Sequence, residues 1–498
     1  MTLEVKAESF DRALELAQFG RFNVFLMSTA GIALANVYLE STTMNFVLPV
    51  SQCDLQWTQT ERNLLGAVSY IGIIMSAHCW GSLADSMGRK KVLAPTLILG
   101  FVMSVLSSFC NSFLWMFTFR FFNGICISGA TSVILVYLGE FHCQKQRDKS
   151  IMISCFILSI FALVCPLVAW GIINGNWWID IPWLDMRYTP WRLFMVACAT
   201  PGLISGFLIM IFPESPKYLL SKNQEEEALE VLKKIFFDNS RKDKSLYPVT
   251  SLRKDSDTTE DNLEKMRMKN VFGVIWNRTK PLFNKDNLKV TTILCTLQFI
   301  LYSSNFGMFV FYPDIINSVE QHLKDNGNGT GMCDIYELKL QSVYKTTGSC
   351  VPKLELSTFT YSFICEILFF LGCLLLIFII TKIPKNYILA FVLAVPGVFG
   401  VVAAAIHNPK ASLALYTALL TSALGMMVIS SSVVESYPTH LRATAMSICQ
   451  LFSRLGCVVG SNYIGSLLQY HCNMSFYISS IALIAGGLLA LMLPKAVY

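Results

Sequence analysis

The sequence contains few charged residues for its length. Aspartate, glutamate, lysine and arginine make up 14% of its 498 residues, whereas hydrophobic residues make up 54%. A soluble protein of this size needs more charge to cover its surface, so the composition indicates a protein with several membrane spans. The net charge of +6 does not indicate nucleic-acid binding, because the basic residues lie in short loops beside apolar segments, as expected for orientation in a bilayer.

Several motifs of enzymes and pumps are also missing. The chain has no phosphate-binding Gly-Lys-Ser loop, which argues against an ATP-driven pump, and no Ser/His/Asp grouping in a segment that could form a soluble domain. None of the 16 cysteines forms a Cys-x-x-Cys pair, so no metal site is indicated. We therefore expect no catalytic activity, no cofactor and no metal. Residues 1–21 are also too polar for a cleavable signal peptide.

Twelve apolar segments are each long enough to cross a membrane as a helix. They occupy residues 22–48, 62–83, 91–111, 113–138, 150–174, 192–212, 289–312, 358–381, 386–407, 411–431, 442–468 and 473–494. Lysine and arginine concentrate in the loops after the second, fourth and eighth segments, for example Arg89, Lys145 and Lys385. The positive-inside rule then places both termini in the cytosol. The predicted fold class is an all-α membrane protein with twelve transmembrane helices in two six-helix halves.

A long polar segment divides the predicted halves. Residues 22–216 form the first half and residues 289–498 the second, with a cytosolic linker at 217–288 between them. Within the linker, apolar residues at helical spacing predict a surface helix over 225–237. Residues 1–21 form a cytosolic N-terminal segment, in which 10–19 is either a short amphipathic helix or part of a flexible tail.

The second half contains an outward loop at residues 313–357 with two features of its own. Asn328 begins an Asn-Gly-Thr glycosylation sequon. Cys333 and Cys350 flank a polar stretch of this loop, so we predict a disulfide between them if the loop faces an oxidising compartment. Most of the other cysteines lie in apolar segments, where a buried thiol behaves as a small apolar residue.

A charged, glycine-containing loop follows the second apolar segment. It reads Gly81-Ser-Leu-Ala-Asp85-Ser-Met-Gly88-Arg89-Lys90. Asp85 can pair with Arg89 or Lys90, while Gly81 and Gly88 permit close backbone approach and a sharp turn. We interpret this loop as a conformational latch between two membrane helices.

Four motifs at their proper places resemble those of the major facilitator transporters. The latch loop resembles their signature loop, and the pair Arg120 and Gly124 resembles their Arg-x-x-x-Gly pattern in the fourth span. Two more motifs resemble the sugar and organic-ion branches, namely Pro213-Glu214-Ser-Pro-Lys and Glu435-Ser-Tyr-Pro-Thr-His-Leu-Arg442. The resemblance implies the major facilitator fold, with inverted repeats around a cavity at the membrane midplane.

The chain also resembles the synaptic vesicle glycoprotein 2 family and its invertebrate relatives. The resembling segments are Phe46-Val-Leu-Pro49, Trp80-Gly-Ser-Leu-Ala-Asp85 and Tyr137-Leu-Gly-Glu140-Phe. Three departures matter: Val37 stands where that family has a second acid, the outward loop is much shorter, and the second latch copy at 381–385 has no Asp and no Gly. The first departure argues against shared ion-coupling chemistry, and the second against shared ligands of the loop.

Ionisable side chains at membrane depth are the main candidates for substrate or ion contact, because lipid does not hydrate them. Glu40 lies in a polar run of the first span and either binds a cation, takes up a proton or forms an ion pair, for which Arg454 of the eleventh span is a candidate partner. Related organic-ion transporters use the charge near Arg454 to choose substrate sign, and the resemblance implies the same role here. The remaining candidates for substrate or coupling contact are Asn36, Gln298, Tyr302, Asn305 and Glu366.

A second group of residues is assigned to conformational control on the cytosolic side. Arg120 is expected to anchor to the latch or to Glu140. The full predicted group is Gly81, Asp85, Gly88, Arg89, Lys90, Arg120, Glu140, Glu214, Glu435 and Arg442. Loss of the contact between Asp85 and Arg89 is predicted to shift the protein towards the opposite conformational state.

The sequence therefore predicts a secondary active or facilitative transporter of a small organic solute, such as an organic ion, with or without coupling to protons. A zwitterion, a cation and an anion all fit the opposite charges of Glu40 and Arg454. The alternative, from another class, is a vesicle or surface glycoprotein that acts as a regulator or receptor scaffold without transport. The expected surroundings are the lipid bilayer of the plasma membrane or of an intracellular vesicle, and no nucleic-acid partner is expected.

Overall fold

The computed structural model describes residues 7–252, 279–326, 331–343, 354–380, 382–437 and 439–493. Asn328 and Cys350 lie outside the described residues. A short N-terminal helix, α1, covers Phe10–Leu16. Six long helices follow and form the first half: α2 (Arg21–Leu55), α3 (Gln59–Met87), α4 (Arg89–Ser108), α5 (Phe113–Glu140), α6 (Gln144–Ile173) and α7 (Pro190–Ile211).

The described parts of the linker and of the second half are also mainly helical. The linker contains α8 (Pro216–Ser221) and α9 (Glu225–Ser240). The second half contains α10 (Lys285–Leu301), α11 (Gly307–Asn326), α12 (Met332–Val343), α13 (Leu356–Ile379), α14 (Lys385–Ala405), α15 (Pro409–Leu420), α16 (Gly425–Ser436), α17 (Thr439–Tyr470) and α18 (Cys472–Ala490). The π-helical turn Tyr302–Phe306 joins α10 to α11 in one span, and the 3-10 turn Thr421–Leu424 joins α15 to α16 in another.

The helix lengths agree with the predicted architecture. Within the described residues, ten helical segments are long and apolar enough to cross a membrane, and α3 makes an eleventh if it is counted as one span through its bend. The remaining long helix, α17, completes six in each half, and its apolar sequence is interrupted by Gln450 and Arg454. The described helices therefore form the predicted all-α arrangement of two six-helix halves.

Two glycines of α17 allow it to approach the seventh span closely. A Cβ atom on Gly456 would lie 2.8 Å from the carbonyl oxygen of Phe299, and a Cβ atom on Gly460 would overlap the carbonyl oxygen of Ser303. Any larger residue would push the two backbones apart, so this Gly-x-x-x-Gly pair serves helix packing.

Four short strands form two pairs outside the membrane helices. They are β1 (Ala7–Glu8), β2 (Ile179–Ile181), β3 (Met186–Tyr188) and β4 (Ser251–Leu252). The strands β2 and β3 form an antiparallel hairpin in the loop between α6 and α7, whereas β1 pairs in parallel with β4. The second pair joins the N-terminal segment to the linker.

The N-terminal segment and the linker together cover one end of the first half, the end that the sequence predicts to face the cytosol. The hydroxyl of Tyr247 in the linker donates to the carbonyl of Ala13 in α1 at 2.7 Å, and Glu15 pairs with Lys145 at the start of α6 at 2.9 Å. The hydrogen bond from Lys145 lowers the pKa of Glu15 below its ordinary value. The surface helix predicted over 225–237 is confirmed by α9. Of the two alternatives for residues 10–19, the structure shows the helix, α1, and its Glu15 holds it against the first half.

The seventh span is longer than predicted. Residues 313–326, which were assigned to the outward loop, continue α11 to Asn326. Asp314 and Asn317 are buried in this extension. Their polar side chains interrupt the apolar pattern, so the hydropathy of this segment did not predict that the helix continues here.

The predicted disulfide between Cys333 and Cys350 is wrong. Cys333, at the start of α12, is bonded to Cys472, at the start of α18, across a sequence separation of 139 residues. The carboxylate of Glu337 in α12 also accepts a hydrogen bond from the backbone N–H of Cys472 at 2.8 Å. These two contacts fix α12 to the outward end of the last membrane helix, a pairing that no local sequence pattern indicates.

The buried His142 makes stability depend on pH. It lies in the turn between α5 and α6, is 1% exposed, and places Nδ1 2.8 Å from the carbonyl oxygen of Leu138. Burial lowers the pKa of His142 below its ordinary value of 6.5. The unfolded chain therefore binds a proton on this side chain at a higher pH than the folded chain does, so stability falls as the pH drops below about 6.5.

We expect the melting temperature of the purified protein to decrease between about pH 7.5 and pH 5.5, and the His142→Phe variant to lose part of that decrease because it has no group to protonate. Thermal unfolding followed by intrinsic fluorescence measures this. The exposed His407 provides the control, and His407→Gln should keep the parent's pH dependence. Identical pH profiles for the parent and His142→Phe would contradict the assignment.

Candidate functional site

The polar run of α2 meets α4 and α5 in a buried cluster. Glu40 Oε2 lies 2.8 Å from Arg120 Nη1, and the Ser104 hydroxyl lies 2.6 and 2.7 Å from the two oxygens of the same carboxylate. Asn123 donates to Ser104 Oγ at 3.1 Å. The side chains of Glu40 and Arg120 are 1% and 0% exposed. Each charge therefore depends on the other, because neither water nor lipid solvates it.

The structure places Arg120 in this cluster and not beside the latch or Glu140, contrary to the prediction. Both residues lie on α5, but Glu140 is its last residue. Twenty residues of α-helix separate them by about 30 Å, the thickness of the hydrocarbon core. Glu40 is likewise paired inside the first half and not with Arg454.

The latch loop brings charges together at the end of the first half that the N-terminal segment and the linker cover. Arg89 Nη2 lies 3.1 Å from Asp85 Oδ1, and Arg89 Nε lies 3.1 Å from Glu140 Oε2. The Asp85 side chain is 55% exposed whereas that of Glu140 is 10% exposed, so water weakens the first pair more than the second. No atom lies within 4 Å of a Cβ placed on Gly81, so close backbone approach does not explain that glycine.

The carboxylate of Glu214 caps the first turn of α4. Its Oε1 accepts hydrogen bonds from the backbone N–H groups of Arg89 at 2.9 Å, Lys90 at 3.1 Å and Ser215 at 2.9 Å. Two of these donors belong to the helix N-terminus, where N–H groups lack intrahelical acceptors and negative charge is favourable. Gly88 precedes the helix with φ 112°, and a Cβ atom there would overlap Glu214 Oε2. Glu214 thus contacts the turn at Gly88, and the role of both residues as a conformational latch stays a prediction.

The second half has a simpler charge pair, between the start of α14 and the end of α16. Lys385 Nζ lies 3.0 Å from Glu435 Oε1 and donates to Ser431 Oγ at 2.6 Å. Arg442 Nε donates to the carbonyl of Tyr437 at 2.9 Å. The structure therefore places Glu435 and Arg442 in this half and not against the first latch.

Polar contacts join the two halves at the end opposite the latch, which is called the outward side after the predicted topology. Arg62 of α3 pairs with Asp314 of α11 at 2.6 Å, with side chains 6% and 9% exposed. The hydroxyl of Tyr336 in α12 donates to the same carboxylate at 2.9 Å, and Asn174 at the end of α6 donates to the carbonyl of Leu354 at 3.0 Å. These contacts close the outward ends of the halves against each other.

A narrow cavity, too small in this closed state for an organic solute, lies between the halves, below these outward contacts. The Tyr38 hydroxyl of α2 donates to Glu366 Oε1 of α13 at 2.6 Å, which links the two halves directly. Asn45 is 2% exposed and neither its amide nitrogen nor its amide oxygen has a hydrogen-bond partner. The remaining lining residues are Thr42, Phe46, Cys165, Pro166, Phe309, Tyr312, Pro313 and Ser362.

Arg454 lies elsewhere on the interface between the halves. Its guanidinium carbon is 5.9 Å from the centre of the Tyr70 ring in α3, and no acidic side chain in the described ranges lies within ion-pair distance of it. Tyr302, in the π-helical turn, donates its hydroxyl to Met426 Sδ at 3.0 Å. Neither Arg454 nor Tyr302 lines the cavity that contains Glu366.

Three other predicted contacts are buried within the bundle. Asn305 donates to the Leu420 carbonyl and to Ser422 Oγ, both at 2.8 Å, and so joins the irregular turns of two spans. Asn36 is 3% exposed and packs against Gly202 of α7. Gln298 is fully buried and neither of its amide atoms is hydrogen-bonded. None of these three side chains lines the cavity with Glu366.

Comparison with known families agrees with this arrangement. The sequence profile of the Major Facilitator Superfamily matches residues 30–461, so the chain belongs to that superfamily. It is similar to synaptic vesicle glycoprotein 2A of Rattus norvegicus, with 26% identity over 333 residues that cover 64% of this chain and 45% of that protein. It is also similar to synaptic vesicle glycoprotein 2B of Homo sapiens, with 22% identity, covering 99% of this chain and 86% of that protein. The match thus spans about half the length of the 2A relatives.

Solved structures show the same fold. The partially occluded inward-open xylose transporter XylE from E. coli has a TM-score of 0.65 and 16% identity, covering 95% of this chain and 99% of that one. An inward-facing, occupied bacterial homolog of the human lysosomal transporter Spinster has a TM-score of 0.64 and 12% identity, covering 94% and 95%. These likenesses confirm the predicted twelve-helix fold in two halves.

Sequence reasoning missed Ser104, Arg62 and Asp314. Ser104 is one of several serines in α4, and nothing in its neighbours distinguishes it. The sequence did contain a signal that could have marked Arg62 and Asp314 as candidates, because each is a charged residue near the outward end of a membrane helix. They lie 252 residues apart in different halves, so their pairing depends on how the halves pack.

The buried pair in the first half should be essential for stability. We expect Glu40→Gln to lower the free energy of unfolding by about 3 to 5 kcal/mol, because it leaves the Arg120 guanidinium buried without a counter-charge. Chemical unfolding in detergent measures this difference. Asp180→Asn removes an exposed ion pair with Arg187 and should change the same quantity by less than about 1 kcal/mol. Equal losses in the two variants would contradict this account of the pair.

Proposed function

We propose that the protein is a secondary transporter that moves a small organic solute across the membrane by alternating access. The observation that carries this proposal is the cavity between the halves, where Tyr38 of one half contacts Glu366 of the other. Membership of the Major Facilitator Superfamily supports it. One solved structure of similar fold is described as a D-xylose-proton symporter, which favours a small solute and protons as partners.

The contacts at the two ends suggest how access alternates. Arg62 and Asp314 hold the outward ends of the halves together, and rocking of the halves would separate them. At the cytosolic ends, the latch charges belong to the first half and the Lys385–Glu435 pair to the second, so both would move as parts of rigid bodies. Solute drives the exchange only if its binding free energy differs between the two states.

The proposed orientation places both termini, the latch and the linker in the cytosol. The disulfide between Cys333 and Cys472 then faces the opposite compartment. Disulfides persist in oxidising surroundings, and both the cell exterior and the lumen of a secretory vesicle meet that condition. The sequon at Asn328 lies on the same side of the chain's predicted topology, which agrees with this orientation.

Uptake into proteoliposomes tests the proposed transport. A panel of cations, anions, zwitterions and sugars would be offered with and without an inward proton gradient. We expect at least one solute to accumulate, and Glu366→Gln to reduce its uptake by about tenfold or more, because the carboxylate lines the proposed route. Glu226, an exposed acid of α9, provides the matched control Glu226→Gln, which should transport normally.

The same experiment separates transport from the alternative function. If no solute class moves in a correctly inserted, folded sample, a regulator or receptor scaffold becomes the better account of the protein. If uptake occurs but is equal in Glu366→Gln and Glu226→Gln, transport stands and the cavity is not its route.

The outward ion pair should control access from the outward side. We expect Asp314→Asn to speed the labelling of Cys165 by a membrane-impermeant thiol reagent, because Cys165 lines the cavity and the variant removes the ion pair between Arg62 and Asp314 that joins the halves. An increase of about tenfold corresponds to a loss of about 1.4 kcal/mol from the closed state. Mass spectrometry of labelled whole cells measures the rate.

The control for this test is Asp325→Asn. Asp325 is an exposed acid near the end of the same helix, and its replacement removes an equal charge without opening the interface. Labelling of Cys165 at one rate in the parent, Asp314→Asn and Asp325→Asn would show that the Arg62–Asp314 pair does not hold the outward side closed.

A further inference from the structure

We infer that the residues lining the cavity between the halves bind a small organic cation, such as a protonated amine, with Glu366 as its counter-charge, once the halves move apart far enough to admit it. This inference rests on the proposed transport function and adds the class of substrate. The inference rests on one observation: the carboxylate of Glu366, the unpartnered amide of Asn45 and several aromatic rings line a single cavity between the halves.

Glu366 is the charged side chain of this cavity. Of the described residues that line it, no other carries a charge. The other acid at this depth, Glu40, already forms an ion pair with Arg120 and accepts a hydrogen bond from Ser104 inside the first half. In the described chain, Glu366 accepts one hydrogen bond, from Tyr38 to Oε1. Its carboxylate therefore keeps capacity for a ligand donor, and a cation supplies both the donor and the balancing charge.

Asn45 offers the second polar contact. Its side chain is 2% exposed, and both amide atoms lack partners. An amide buried in this way costs free energy unless something completes its hydrogen bonds. Because Asn45 lines the same cavity as Glu366, a ligand that carries a hydroxyl, carbonyl or second amine group besides its ammonium would satisfy it.

Aromatic rings complete the cavity wall. Phe309 and Tyr312 of α11 stack with a ring separation of 6.5 Å, and Tyr38 and Phe46 of α2 line the opposite side. The negative faces of such rings attract a desolvated ammonium group, whereas an anion would meet both these faces and the Glu366 carboxylate. The wall therefore favours positive over negative solutes.

Arg454 does not cancel this preference. Its guanidinium lies over the ring of Tyr70, and neither residue lines the cavity of Glu366. A cation bound at Glu366 would contact Tyr38 of the first half and Glu366 of the second. It would therefore replace or bend the hydrogen bond that now joins the halves, and this gives the ligand different binding free energies in the two states.

Binding to the purified full-length protein tests the inference without requiring transport. The probes are radiolabelled phenethylammonium and choline, with neutral xylose and anionic benzoate for comparison, each measured by equilibrium dialysis in detergent. We expect the cations to bind more tightly than xylose and benzoate. Glu366→Gln should weaken phenethylammonium binding about ten- to hundredfold, as expected for loss of a charge-assisted contact, while Glu226→Gln should leave it unchanged.

Two further variants keep the test decisive if Glu366→Gln folds poorly. Glu366→Asp keeps the charge and should retain most of the binding. Asn45→Ala keeps the carboxylate and should weaken binding of hydroxylated amines about three- to tenfold, as expected for one neutral hydrogen bond. Cation affinity that is insensitive to both Glu366→Gln and Asn45→Ala, or no binding of either cation at millimolar concentration, would overturn the inference.

The outcomes also separate this inference from the proposed transport. If xylose or benzoate is transported and Glu366→Gln has no effect on either, the cation assignment fails and transport stands. If the cations bind in a manner that depends on Glu366 but no solute crosses the proteoliposome membrane, the cation site stands and transport fails.

Discussion

A charge inside a bilayer has no water to solvate it, and this constraint determines the partner of each buried ionisable side chain in the protein. Glu40 and Arg120 lie at membrane depth with almost no exposed surface, and each would be costly without the other. Ser104 donates to the Glu40 carboxylate and accepts a hydrogen bond from Asn123. The helices α2, α4 and α5 are thus held together by charge as well as by packing, so the first half can move as one rigid body without exposing its central ion pair.

The ion pair that lies deep in the membrane is contained within one half, whereas the ion pair that joins the two halves lies near the helix ends. The Glu40–Arg120 pair is deep and lies within one half. The Arg62–Asp314 pair joins the two halves, but it lies near the outward end of the helices, where water can hydrate both charges once they separate. The latch pairs of Arg89 are also near an end. A switch built from charges at the ends of helices avoids the cost of leaving a single charge in hydrocarbon.

Local sequence predicted the helices and the latch, but it did not predict most of the long-range partners. Apolar length identified the spans, and Asp85, Arg89, Glu140 and Glu214 were assigned to one group because each belongs to a recognisable motif. The partner of Glu40 lies 80 residues away, and that of Cys333 lies 139 residues away. Asn36 and Asn305 were expected in the cavity, but a polar residue in an apolar helix shows only that it needs a partner, not which neighbouring helix provides one.

The pairing of Glu40 with Arg120 changes the question of substrate charge. In the sequence, Arg454 was a candidate ion-pair partner of Glu40, and the opposite charges of the two residues did not decide whether the solute is positive, negative or zwitterionic. Once Glu40 is neutralised within its own half, Glu366 and Arg454 are the charged side chains left near the centre of the interface in the described chain, and they lie on different parts of it. Glu366 is the one whose hydrogen bond spans the two halves. A ligand that changes the relative position of the two halves must change a contact between them, such as this hydrogen bond. A positively charged ligand does so most directly, because it competes with the Tyr38 hydroxyl for the Glu366 carboxylate.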